Sequence, residues 1–475
     1  MSDQMPPLGP PYAPAGPPPQ PRYPEHPPTD WEPRPLEPFP APPAPPAGEH
    51  RARVAVVVAV IAAAAMLVAV VAYANDDGGP SVVARPRLTT TTVPATGSSG
   101  SSSDSPTDSS DSSDSTASSA ASAAQLAQVV ADIKHFVEQQ RGLTFKSDVT
   151  VHLLDDKPFT TELLQEFDAG RAQTLEEEEV LKSLELVDRT RDVVADSQQL
   201  LSIGVGGFYN PKTKRLAVRG TTITPLRRQI IAHELTHALD DQYFNLDRSQ
   251  LDTANDETGF GFDTLVEGSA RTVEQAYYDK VLTADEQAQA DAERRTNSLN
   301  PTLVSLPAIL LVLLEAPYDA GEPLVARIEQ GGLSKLNDAF ASPPVTSEQA
   351  LEPDKYVAGE LPVHVDEPQP PGSMSASNRG ALGVLLLQQL LDGGRTTDVT
   401  NIDRALLGWG GDRYVTWADG DRTCIDDVVV GDDAASTGTL LQRFQDWAAS
   451  AGVSATVTPL SGAGGSPFSI TSCSL

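Results

Sequence analysis

From Val54 to Ala74 the chain runs for 21 residues without a charge. At about 1.5 Å rise per residue, a helix of that length matches the ~30 Å hydrocarbon core of a bilayer. The run therefore reads as a single transmembrane helix, and it separates two stretches that cannot share a core. Ala72-Tyr73-Ala74 has the small-x-small form of a signal cleavage site, but the polar region ahead of the run is far longer than that of a secretory signal. Arg51 and Arg53 precede the run, while Asp76 and Asp77 follow it. Positive charge stays on the cytoplasmic side, so the N-terminus is expected inside the cell membrane and the C-terminal portion outside it.

The flanks carry little that could fold. Half of the 40 prolines fall within residues 1–50, a composition that favours extended polyproline conformations and offers too little apolar surface to offset ordering entropy. Between Ser98 and Ser122, 14 of 25 residues are Ser, with Asp104, Asp108, Asp111 and Asp114 among them, and such a stretch stays solvated. The chain thus divides into a disordered proline-rich cytoplasmic tail (1–50), a membrane segment (51–74), a Ser/Asp-rich disordered linker (75–122) and an exported domain (123–475). A formal charge of -31 argues against nucleic acid and anionic membrane surfaces as partners. Both cysteines, Cys424 and Cys473, lie in the exported part, where an oxidising compartment favours one disulfide.

Within the domain, apolar residues at helical spacing predict helices over Gln125 to Gln140 and Glu176 to Leu200, with a strand at Val149 to Leu154 between them. Ile203 to Tyr209 and Arg215 to Arg219 flank the turn-forming Asn210-Pro211-Lys212-Thr213 and read as a hairpin. Pro225 opens the next helix. Leu303 to Leu314 and Ala381 to Leu391 are too short to cross a membrane and read as buried helices. Near the C-terminus, strands at Arg413 to Trp417 and Ile425 to Val430 precede a helix around Leu440 to Ala449. The fold class expected is α+β, mainly helical with a small sheet.

The helix after Pro225 contains His233-Glu234-Leu235-Thr236-His237, the His-Glu-x-x-His pattern. Residues four apart on a helix share a face, so both imidazoles can converge on one tetrahedral zinc ion. Glu234 can reach a water held by that ion, where a general base belongs. A hydrolytic site needs a third protein ligand. Glu267 is the candidate, on a helix that Asp263 could cap, and small Gly268 and Ala270 would let that helix approach the first. Glu257 is the rival, although Gly259 and Gly261 suggest an irregular loop after it.

His233 to Asp241 resembles the active helix of thermolysin-like zinc peptidases, and a downstream Glu as third ligand is the gluzincin arrangement. The pairing with Val266-Glu267-Gly268-Ser269-Ala270 is similar to a group of bacterial envelope proteins regarded as metallopeptidases. That similarity extends through Ala316-Pro317-Tyr318, Pro343 to Gln349 and Gly408 to Arg413, hence over most of residues 125–475. The resemblance implies a zincin-like domain in which zinc is bound by His233, His237 and Glu267, with Glu234 as base. Thermolysin-like enzymes orient the first His with an Asp four residues after the ligand Glu, where this chain has Arg271; Asp240, Asp241 and Asp263 are the possible substitutes. Gluzincins add substrate as a strand along a hairpin edge, and the hairpin before the active helix could serve so. Tyr277, Tyr278, Arg271 and Tyr318 are candidates for stabilising the oxyanion.

Together these features predict a membrane-anchored extracytoplasmic zinc metallopeptidase, an endopeptidase rather than an exopeptidase. It would hydrolyse peptide bonds of a protein or peptide substrate through zinc-activated water. The competing expectation is a non-catalytic envelope-binding or scaffold protein with a structural zinc site.

Overall fold

Helix α1 (Ser113–Arg141) opens the structure, a computed structural model that describes residues 113–474 apart from 249–250, 252–256, 395–397, 451–453 and 461–465. The proline-rich tail, the Val54 to Ala74 run and the linker as far as residue 112 lie outside the described residues. The helix begins inside the stretch that composition assigned to the disordered linker. Ala117, Ala120, Ala121, Ala123 and Ala124 have high helix propensity, and a helix nucleated against a core propagates outward through such residues readily.

After β1 (Val151–Leu154) come α2 (Asp156–Ala169), α3 (Arg171–Ser183), α4 (Val193–Gly204), the hairpin strands β2 (Gly207–Asn210) and β3 (Arg215–Arg219), and α5 (Pro225–Phe244). The stretch Glu176 to Leu200, expected as one helix, is two. Glu185 takes the left-handed φ of 60°, ending α3, and Asp192 starts α4 by accepting a hydrogen bond from the Ala195 N–H. The hairpin forms where predicted, with Asn210 Oδ1 accepting from the N–H groups of Lys212 and Thr213. Its first strand starts at Gly207 because α4 continues through Gly204. β3 pairs in parallel with β1 and antiparallel with β2, giving a three-stranded sheet in the order β1-β3-β2.

The chain continues through α6 (Thr258–Val281), α7 (Ala284–Ser298), α8 (Ala308–Glu329), α9 (Leu333–Ala341), α10 (Ser347–Leu351), α11 (Pro353–Ala358), β4 (Ala376–Gly380) and α12 (Gly383–Asp392). β5 (Trp409–Asp419), β6 (Arg422–Gly431), α13 (Ala434–Ser450), β7 (Thr456–Pro459) and β8 (Phe468–Cys473) follow. The five later strands form an antiparallel sheet in the order β4-β5-β6-β8-β7. Cys424 and Cys473 stand opposite each other on β6 and β8 and are bonded. The architecture is therefore mixed α+β, mostly helical, with two small sheets.

Two large apolar clusters hold the helices together, one of them built around α5. One gathers Ile133 of α1, Leu216 and Val218 of β3, Ile231 and Leu235 of α5, and Val273 and Tyr277 of α6. The larger one joins α2 to α4 with α8, α12 and the second sheet, through Phe159, Leu181, Phe208, Leu310, Leu387 and Trp409. Both short apolar runs feed the core, as expected, although Val304 is exposed: the first is divided at Pro307, after which α8 begins, and the second is α12. Among the described residues no helix is long and apolar enough to cross a membrane. α6 and α8 cross at two glycines. A Cβ on Gly268 would lie 2.2 Å from the Gly321 carbonyl oxygen, so the backbones are in contact. Gly268 thus serves the approach of α8 rather than that of α5, toward which Ser269 points by donating to Asp240.

Candidate metal centre

α5 starts as its sequence predicts. The Thr224 side chain accepts from the Arg227 N–H and Pro225 occupies the first turn. Every residue from Gln229 to Asp241 is buried, so the imidazoles project into the protein rather than into solvent. His233 and His237, one turn apart, bring their Nε2 atoms to 3.0 Å. From α6, Glu267 Oε2 lies 3.2 Å from His233 Nε2 and 3.5 Å from His237 Nε2.

These edges suit a tetrahedral ion, whose neighbouring ligands at bond lengths of about 2.0–2.2 Å lie about 3.3 Å apart. The donor chemistry fits as well. Two imidazole nitrogens 3.0 Å apart can share one proton but not two, whereas a cation accepts all three converging lone pairs. The buried group of His233, His237 and Glu267 can therefore hold a metal ion.

Glu257, the rival, does not join them. It stands at the N-cap of α6, with its carboxylate against Gly383 and bonded to Ser347. The glycines after it are helical rather than loop. A Cβ on Gly261 would lie 2.2 Å from the Pro344 carbonyl oxygen, so close packing explains that residue. Asp263 is accordingly inside the helix, not at its cap.

The orienting partner of His233 is one the sequence reading missed. Glu274 Oε2 lies 3.2 Å from His233 Nδ1 and accepts from Arg271 Nη1 at 3.1 Å. A carboxylate on Nδ1 fixes the tautomer that leaves the Nε2 lone pair for a metal. The proposed substitutes are engaged elsewhere: Asp240 accepts from Arg141 and Ser269, and Asp241 from Tyr209, Lys214 and the Leu246 N–H. Glu274 stands seven residues after Glu267, two turns along the same face, and that spacing was the available signal.

Without a cation the cluster behaves as a network of proton-sharing pairs. Burial works against charge on His233, but its bonds to Glu267 and Glu274 outweigh that and raise the imidazole to about 10. Burial likewise opposes ionisation of Glu267, yet the adjacent His237 and His233 hold it at about 2. A divalent ion would take the place of that proton, because it binds neutral imidazole and anionic carboxylate.

Glu234 is fully buried, and neither carboxylate oxygen has a hydrogen-bond partner among the described residues. Burial pushes its pKa well above the ordinary value; the charge of His233 opposes this, and those of Glu267 and Glu274 add to it. The carboxylate lies against Gly207 at the start of β2, where a Cβ would come within 3.0 Å of Oε1. Of the four oxyanion candidates, Tyr318 is at the site. Its ring stacks on His233 at 6.0 Å, and its buried hydroxyl lies near Glu267 without a hydrogen bond of normal geometry to any described residue. Tyr277 packs edge-on against Phe136, Tyr278 donates to Asp291, and Arg271 is committed to Glu274.

A second acidic group, Glu348, Glu360 and Asp432, already encloses a cation. Lys355 Nζ lies 2.6, 2.7 and 3.0 Å from the three carboxylates. Comparison of the chain with protein-family models, with curated proteins and with solved structures gives no match.

Proposed function

We propose that the chain is a membrane-anchored zinc metallopeptidase, working outside the cytoplasmic membrane and of the gluzincin kind that its active helix resembles. The observation that carries this reading is Glu234, a buried carboxylate without a hydrogen-bond partner among the described residues, beside three converging metal donors. A site kept only for structure has no use for such a group, which burial makes costly. Two imidazoles and one carboxylate are a ligand set that suits zinc and leaves a coordination position open. Zinc there would supply a Lewis acid able to polarise a peptide carbonyl and to acidify water at neutral pH.

The remaining work falls to the chain itself. Glu274 holds His233 in the metal-binding tautomer. Glu234 takes a proton from the attacking water on its carboxylate and delivers it to the leaving amine nitrogen. The Tyr318 hydroxyl donates to the carbonyl oxygen as that oxygen becomes negative. Anchoring is supported by the Val54 to Ala74 run and its charged flanks. One observation favours the structural-zinc alternative: His233, His237 and Glu267 are at most 5% exposed. A closed structural site takes four protein ligands, however, and the metal-binding group among the described residues has three.

The test is metal content together with peptide-library cleavage by the full-length wild type and by Glu234→Ala. Zinc in both and cleavage by the wild type alone is the expected result. Equal zinc with equal background cleavage would leave only the structural reading. Glu267→Ala should release the metal, and Glu257→Ala should retain it.

A further inference from the structure

A cavity of about 610 Å³ opens where the end of α4, the start of α5 and the end of α7 meet, a size typical of ligand sites. None of His233, His237 and Glu267 lines it. Its wall is mainly polar because it is built from helix ends. Ile203 and Gly204 are the last residues of α4, and Thr296 and Asn297 stand in the last turn of α7. The last carbonyls of a helix have no partner within it, so both ends bring acceptors to the cavity. Leu226, the second residue of α5, brings a helix end of the opposite polarity.

Four charged side chains join these ends, in opposed pairs. Arg219 Nη1 bonds to Asp156, and Arg227 Nη2 lies 3.6 Å from Glu293. Neither pair uses up its guanidinium. Arg219 Nη2 is buried without a partner among the described residues. Arg227 Nη2 is farther from Glu293 than a hydrogen bond reaches, so it too keeps N–H groups to donate. A donor left unspent is costly, and an acceptor placed in the cavity would offset that cost. Apolar surface comes at the rim, where Leu299 is 72% exposed.

Such a wall sorts ligands by charge. An anion would meet Asp156, Glu293 and the carbonyl ends of α4 and α7. A cation would meet two guanidinium groups and the head of α5. A neutral molecule with several hydroxyl groups meets no like charge, and each hydroxyl can both donate to a carbonyl or carboxylate and accept from a guanidinium. A sugar ring adds a face of C–H groups that Leu299 can cover.

We propose that this cavity binds a neutral saccharide, held by hydrogen bonds to Arg219, Arg227 and the terminal carbonyls of α4 and α7, with a ring face against Leu299. The site lies apart from the metal centre and stands whether or not the chain is a hydrolase.

The probes are an array of neutral, acidic and amino oligosaccharides, together with inorganic phosphate, offered to the full-length metal-loaded protein. The tightest neutral oligosaccharide should bind roughly tenfold or more better than its uronate and amino counterparts. Thr296→Trp, at an exposed position of α7 that lines the cavity, should weaken that binding by roughly tenfold or more, with metal content and Tm unchanged. Leu299→Ser should weaken it by roughly threefold or more. The double substitution Asp156→Asn with Glu293→Gln leaves both guanidinium groups without counter-charge and should shift selection toward acidic oligosaccharides. Glu234→Ala should bind the neutral oligosaccharide as the wild type does.

Tighter binding of phosphate or of an acidic oligosaccharide by the wild type would make this an anion site and overturn the proposal. So would the absence of neutral-oligosaccharide binding, or binding that Thr296→Trp and Leu299→Ser both leave unchanged. Loss of saccharide binding in Glu234→Ala would place the sugar at the metal centre instead.

Discussion

Glu234 and Glu274 are both buried carboxylates within reach of the same histidine, and their surroundings give them opposite roles. Glu274 is opposed by burial, but Arg271 and His233 hold its pKa far below the ordinary range, so it stays anionic and can only accept. Glu234 has no such donors. Glu274→Gln should therefore weaken metal binding by roughly 10- to 100-fold, as loss of a carboxylate behind a ligand His does, read by chelator competition. Glu234→Gln should keep the metal and lower turnover by roughly 10²–10⁴. Loss of metal from Glu234→Gln, or none from Glu274→Gln, would reverse the roles assigned here. Tyr318→Phe should lower kcat by on the order of 10² with KM little changed. The triad itself was legible in sequence, because spacing on one helix fixes the two histidines and a nearby helical Glu completes them. Glu274 was not legible, since the fourth residue after Glu267 is Arg271 and a side chain two turns on becomes relevant only once the crossing of α5 and α6 is known. Tyr318 could not be singled out either, as it arrives from a helix more than 50 residues later in the chain.

At the scale of elements, α6 is the part whose placement decides the site, and it is braced at three levels. Its start packs on the Pro343 to Gln349 segment at Gly261, its middle touches α8 at Gly268, and Ser269 ties it to α5 through Asp240. Asp412, in the Gly408 to Arg413 segment, accepts from the Leu382 and Gly383 N–H groups and from the Trp409 indole, fixing the head of α12 beside Glu257. The Pro343 to Gln349 and Gly408 to Arg413 segments thus come together around the head of α6. Gly268→Ala would place a methyl 2.2 Å from a backbone oxygen, so α6 and α8 must separate. We expect about 1–3 kcal/mol of destabilisation and weaker metal binding, because Glu267 adjoins the crossing. Denaturant unfolding and metal titration check both, and unchanged metal affinity would mean that the crossing does not set the ligand's position. Elements marked by dense apolar runs were foreseeable, as α5 and α12, buried on most sides, show. The division between α3 and α4 was not, because it depends on Glu185, an ordinary helix former held in a left-handed turn.

Across the whole molecule, burial raises the pKa of several acids outside the metal cluster. Burial, reinforced by the charge of Asp412, raises Glu257 to about 8 against the opposing hydrogen bonds of Ser347. Burial and then Asp319 raise Glu315 to about 8. Burial and then Asp412 push Asp427 well above its ordinary value. In the unfolded chain these groups ionise near 3.8 (Asp) or 4.5 (Glu). Between those values and their folded pKa values the native state binds more protons, so stability falls as pH rises through that window. In metal-free protein His233 adds to the same slope: its raised pKa stabilises fully below about 6.5, and that contribution is lost as pH rises through about 10. Glu267, lowered to about 2, acts in the other direction, but its contribution is complete above about 4.5 and is lost only as pH falls toward 2. The metal-free protein should therefore melt lower at pH 8 than at pH 5, by on the order of 5 °C. Asp427→Asn, which replaces an acid whose ionisation burial opposes by a neutral amide of the same shape, should flatten the slope and raise the pH 8 value. A Tm that climbs from pH 5 to pH 8 without metal would mean that these carboxyl groups ionise where they lie, each with a counter-charge from outside the described residues.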